Sequence, residues 1–187
     1  FDLYKPNENI HISKYNSSKI TKEEIINLAV KFHLKGDIKT AAKYYQLFIN
    51  NGFEDHRIFS NYGSILKVLG KSDEAVRLLR KAIEIKPDFA EAYSNLGNIF
   101  SDFGKLNEAE IYLRKAIQLK PDFVNAYNNL GNTLRKFGKL KEAEVLLRKT
   151  IKLKPDFVNA YNNLAAILQD LGKLEEAEIL LNKAIKL

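Results

Sequence analysis

Five asparagines stand at one fixed interval: Asn27, Asn61, Asn95, Asn129 and Asn163 are each 34 residues from the next. A carboxamide carries a donor and an acceptor together, the pair that complements the N–H and C=O of an extended peptide backbone. Helices packed side by side sit about 9–10 Å apart. An extended chain advances about 3.3 Å per residue, so one carboxamide per helix would meet it roughly every three residues without reading its side chains. Two roles are therefore open to these asparagines: holding such a chain, or bonding a neighbouring helix or water. Asn98, Asn128, Asn132, Asn162 and Arg135 fall on the same predicted helix faces and extend the candidate binding row.

Other chemistry is not supported by the residues. The histidines His11, His33 and His56 lie at no metal-ligand spacing, and the chain has no cysteine. No H-E-x-x-H, G-x-S-x-G, phosphate-loop or dinucleotide fingerprint occurs. Glu108, Glu142 and Glu176 recur with the period and read as a solvated face. No catalytic residue, metal or cofactor is expected, and the chain is read as not itself an enzyme. The net charge of +7 comes in part from Arg80-Lys81, Arg114-Lys115 and Arg148-Lys149, late in predicted helices where cations are favoured. Nucleic-acid binding would need bases interleaved with exposed aromatics, and the recurring aromatics read as core, so nucleic acid is not expected. No apolar run is long enough to span a membrane and no apolar leader opens the chain, so a cytoplasmic location is expected.

The elements that position the asparagines follow from the same period. Pro87-Asp88-Phe89, Pro121-Asp122-Phe123 and Pro155-Asp156-Phe157 are 34 residues apart. A period of this length means one supersecondary unit stacked on itself. Units begin at Lys22, His56, Ala90, Val124 and Val158, giving 22–55 (divergent), 56–89, 90–123, 124–157 and a truncated 158–187. Each reads as two helices. In the third, Asp88 with Glu91 suggests a capping box, Gly104 ends the first helix, and Pro121 stops the second. Thr21 with Glu24 suggests another capping box at the start of the array. Small residues recur where helices must approach: Gly63, Gly97 and Gly131, and Ala41, Ala75, Ala109, Ala143 and Ala177. Leu79, Leu113 and Leu147 are the large residues expected to face them. Residues 1–21 read as an extension, a tail or a docking segment. The exit of the first unit, Asn50 to Asp55, lacks proline and is expected to turn more loosely.

Tyr93, Leu96-Gly97, Phe100, Ala109, Leu113, Ala116 and Pro121 together resemble the tetratricopeptide repeat, and the resemblance covers about residues 22–187. It implies an all-α fold, a right-handed superhelical solenoid of five stacked helix-turn-helix units, with first helices lining a concave side. The run Tyr-x-Asn-Leu-Gly-Asn followed by Lys-Pro-Asp-Phe is most similar to the array of O-linked N-acetylglucosamine transferase. That likeness implies an asparagine ladder holding extended polypeptide at Asn61, Asn95, Asn129 and Asn163, and also at Asn27. The family's clamp for acidic C-termini uses a lysine one residue before the ladder asparagine. This chain has Ile26, Ser60, Ser94, Asn128 and Asn162 there, so that clamp is rejected. The expected partner is a protein or an extended peptide. The competing expectations are self-association end to end through an uncapped last unit, and a spacer within a longer enzyme.

Overall fold

The computed structural model describes residues 20–187. Among these the chain is all-α, with ten helices and no strand. The expectation of a tail or docking segment at the N-terminus falls on residues outside the described ones, apart from the last two positions. The chain divides into two compact units between Glu54 and Asp55.

The first unit holds α1 (Lys22–Leu34) and α2 (Ile38–Asn50). The Thr21–Glu24 capping box is present, with the Thr21 hydroxyl accepting from the Glu24 N–H and the Glu24 carboxylate accepting from the Thr21 N–H. Two orphan donors at the helix start are thereby satisfied. Ile25, Ala29, Ala41, Tyr45 and Phe48 are buried between the pair. The exit from α2 is longer than the later ones, with residues 51–55 between α2 and α3 against 86–89 between α4 and α5, and a glycine closes it. Gly52 adopts φ +72°, and the Phe53 N–H reaches back to the Phe48 carbonyl at 3.3 Å. This is a Schellman closure, completed by the Phe48 and Phe53 rings with centroids 5.5 Å apart. A glycine thus does at this exit what proline does at later ones.

The second unit holds α3 (His56–Val68), α4 (Ser72–Ile85), α5 (Ala90–Asp102), α6 (Leu106–Leu119), α7 (Val124–Lys136), α8 (Leu140–Leu153), α9 (Val158–Asp170) and α10 (Leu174–Lys186). Each first helix of a hairpin lies against its own second helix. Gly97 shows why: a Cβ there would stand 2.5 Å from Leu113 Cγ. The missing side chain lets α5 and α6 approach closely enough for Leu113 to be fully buried.

The Pro-Asp-Phe motif closes a turn rather than capping a helix. The Phe89 N–H donates to the Lys86 carbonyl at 3.1 Å, and the same bond recurs for Phe123 with Lys120 and Phe157 with Lys154. Proline occupies the second position of each four-residue turn, where its fixed φ fits. The Asp88–Glu91 capping box predicted from sequence is absent: Phe89 is the N-cap of α5 and makes no side-chain cap bond.

Candidate functional site

Within the second unit α3 packs on α5, α5 on α7 and α7 on α9, while no two second helices meet as closely. The first helices therefore line the inner side of these four hairpins. A cleft of about 410 Å³ opens there. Asn61, Asn95 and Asn129 line it, one from each of three successive first helices, together with Ser60, Ser94 and Asn128.

The carboxamides of Asn61, Asn95, Asn129 and Asn163 are half-buried, and the last three are tied to the preceding hairpin. Asn95 Nδ2 donates to Ser60 Oγ at 3.2 Å and to Ser64 Oγ at 3.0 Å. Asn129 Nδ2 reaches Ser94 Oγ at 3.5 Å, and Asn163 Nδ2 reaches Asn128 Oδ1 at 2.9 Å. The nitrogen ends thus hold one first helix to the next. Asn95 Nδ2 spends both of its N–H groups this way, Asn129 and Asn163 each spend one, and the carboxamide oxygens, with two lone pairs each, can also accept from a ligand donor.

The remaining candidates are dispersed. Asn27 is exposed on α1 in the other compact unit. Asn98 and Asn132 are half-buried and lie outside the cleft lining, Asn128 is nearly buried, and Asn162 is exposed. Arg135 is engaged with Asp170, its Nε 2.6 Å from a carboxylate oxygen, and those hydrogen bonds hold the Asp170 carboxyl below the usual range. Lys67 and Lys136 flank Asp102 at 2.8 and 3.5 Å. Charges at the C-terminal ends of the first helices are thus paired from one repeat to the next.

Three aromatics differ from the sequence expectation. Phe89, Phe123 and Phe157, which read as core by their recurrence, are half-buried and line the cleft. Each precedes the first residue of a first helix, and that position at the mouth of the hairpin was the available signal. The aromatics inside the first helices do behave as core, with Phe59, Tyr127 and Tyr161 buried and Tyr93 half-buried.

The positive charge sits in a second system on the other helices. Arg114 bridges Glu110 and Glu142, and Arg148 bridges Glu144 and Glu176. Lys139 joins Glu110 at 2.8 Å and Lys173 joins Glu144 at 3.0 Å. Burial pushes the Glu110 carboxyl up, and hydrogen bonds from Lys139 and Arg114 outweigh that and hold it below the usual range. At Glu144 the bonds from Arg148 and Lys173 do the same. Lys81, Lys149 and Lys183 lie 5.0, 4.4 and 5.2 Å from the ring centroids of Phe59, Tyr127 and Tyr161. These cations are spent on the protein itself. Among the described residues no cluster of side chains suits a metal ion, and no helix is long and apolar enough to cross a membrane.

Comparison with known proteins agrees with this architecture. A family profile described as TPR repeat matches residues 63–104 and 131–172. Profiles described as tetratricopeptide repeat match residues 23–49, 90–123, 112–145 and 158–187. No curated protein matches the sequence. A solved structure of MamA is 26% identical, with 85% of this chain and 93% of that one covered and a TM-score of 0.68. TTC0263, a thermophilic TPR protein of Thermus thermophilus, is 18% identical, covers 89% and 91%, and has a TM-score of 0.80. MamA from Desulfovibrio magneticus is 18% identical, covers 88% and 93%, and has a TM-score of 0.71. These findings carry the resemblance to the level of the repeat. The finer likeness to the transferase array rests on the repeat pattern alone.

Proposed function

Since the chain belongs to the tetratricopeptide repeat family, we propose that it is a non-catalytic interaction module holding an extended polypeptide along its first helices. The observation that supports this reading best is the file of carboxamides from Asn61, Asn95 and Asn129 in one open cleft. The nitrogens of Asn95 and Asn129 brace the array, and the oxygens of all three offer one acceptor per repeat to a ligand N–H. In this reading residues 22–55 are a divergent first unit, the units from 56 to 187 carry the groove, and residues 1–21 are an extension.

The test is a selection from a peptide array of polar segments, followed by titration of the retained peptides. An Asn95→Ala, Asn129→Ala double variant should bind them about tenfold more weakly or worse. A Ser64→Ala variant removes a brace of Asn95 but leaves the carboxamide, and should bind nearly as the parent does. Equal binding by parent and double variant would remove the ladder from the function.

A second reading, self-association through the last hairpin, has its own observation. Leu174, Ile179 and Ile185 on α10 are 65%, 66% and 82% exposed. Ile111 and Val145, at the position of Ile179 in the two preceding hairpins, are 68% and 65% exposed as well, so Leu174 and Ile185 are the pair particular to α10. Light scattering across a concentration series decides it, since a strict monomer at high concentration ends this reading.

A further inference from the structure

The cleft repeats a second motif besides the amides. The rings of Phe89, Phe123 and Phe157 enter it at intervals of one repeat. Each carries the ammonium of the lysine three residues earlier, with Lys86, Lys120 and Lys154 at 5.9, 5.0 and 5.7 Å from the ring centroids. Between the rings the lining is amide and hydroxyl. Its single formally charged member, Glu91, is paired with Lys120 at 3.1 Å. Apart from the three ammoniums over the rings, the lining offers amides and hydroxyls, which suit the C=O and N–H groups of an uncharged peptide backbone.

Equivalent sites one repeat apart require equivalent ligand groups at that spacing, facing the same way. Adjacent first helices lie about 8–10 Å apart. Three residues of a β-strand cover about 10 Å, but side chains alternate, so residues three apart face opposite sides. A polyproline II helix has three residues per turn and covers about 9.3 Å in that turn, so every third residue faces the same side. Its backbone makes no internal hydrogen bonds. The exposed carboxamides of Asn125 and Asn159, also in the lining, are suited to donate to its carbonyls. Proline has no N–H, so two prolines and one other residue per turn leave one donor per turn. That matches one ladder Oδ1 per repeat.

We propose that the groove takes a neutral proline-rich segment in the polyproline II conformation, one Pro-Pro-x triplet per repeat, with a proline ring against each of Phe89, Phe123 and Phe157. This rests on reading the groove as a peptide site, and names the conformation and composition of the peptide.

The test uses the full chain and three labelled peptides in fluorescence anisotropy. One is built of Pro-Pro-Gln triplets and is about fifteen residues long, enough to span four repeats at about 3.1 Å per residue. The second has the same composition in an order that breaks the three-residue spacing. The third, of Thr-Ser-Gln triplets, lacks proline. The triplet peptide should bind about tenfold more tightly than its shuffled form. Phe123→Leu, checked for an unchanged fold by circular dichroism, should weaken it by a similar factor. Equal binding of the triplet and shuffled peptides, or no effect of Phe123→Leu, overturns the proposal. Binding of the proline-free peptide alone overturns it while sparing the groove reading, and binding of none of the three overturns both.

Discussion

The Tyr127 hydroxyl donates to the carbonyl of Pro121 at 3.1 Å and accepts from Lys149 Nζ at 2.6 Å. Tyr93 with Pro87 at 3.1 Å and Tyr161 with Pro155 at 2.8 Å repeat the first of these bonds. One phenol thus ties the start of a hairpin to the turn that closes the hairpin before it. A tyrosine stands inside the first helix of each unit that follows a Lys-Pro-Asp-Phe turn, and Phe59 stands there in α3.

Tyr127→Phe keeps the buried ring and removes this junction bond. Stability should fall by about 1 kcal/mol, the usual net worth of a hydrogen bond. Chemical denaturation of parent and variant measures it, and Phe59→Tyr should give no comparable gain.

Gly97→Ala should be much worse than its size suggests. The added carbon would meet Leu113 Cγ at 2.5 Å and the Ala109 carbonyl oxygen at 3.1 Å. Overpacking of this kind costs about 1–3 kcal/mol. Part of the clash lies in a side chain, so Leu113→Ala in the same chain should relieve some of it. The sum of the single penalties should then exceed the penalty of the double variant, as a double-mutant cycle would record.

Acid should loosen the second-helix pairs. The Glu144 carboxyl is held below its ordinary range by Arg148 and Lys173. A group that ionises more readily when folded stabilises the fold at pH above the ordinary carboxylate value, about 4.3. That contribution disappears as the pH falls through the lower folded value. Melting temperature should decline from pH 5 downward, less steeply in Glu144→Gln. Since the pair is partly exposed, high salt should weaken the same contribution.

His33 gives the first unit a separate pH response. Burial pushes its imidazole below the usual value, and its Nδ1 lies 3.1 Å from the Tyr45 hydroxyl. A histidine kept neutral by folding stabilises at pH above about 6.5, and that stability is lost as the pH falls through the depressed value. The protection factors of α1 and α2 amides, taken against the intrinsic exchange rate at each pH, should fall between pH 7.5 and 5. An equal response in His33→Gln would show the cause lies elsewhere.

Local periodicity made most of the fold readable. The Gly97–Leu113 contact and the Thr21–Glu24 box each depend on residues of one hairpin or one turn, and both appear as the sequence suggests. Asp88 does not cap α5 because the Lys86-Pro87-Asp88-Phe89 turn claims it, leaving Phe89 at the N-cap. The exit at Gly52 is longer than the later turns, as the missing proline suggests, and its closure depends on a glycine of positive φ. The candidate site was less readable. Asn95 finds Ser60 and Ser64, and Arg135 finds Asp170, on neighbouring hairpins, so those pairings depend on how one hairpin settles against the next. Phe123 reads as core by composition, and only the path of the turn aims it at the cleft.

The amide bonds give the array a polarity. Asn95 leans on Ser60 and Ser64, Asn129 on Ser94, and Asn163 on Asn128, always toward the N-terminal neighbour. Shortening the protein from its C-terminal end leaves every surviving amide with its anchor. Shortening it from the other end past residue 89, and by each further unit, orphans the leading amide, so the two series of truncations should decay differently.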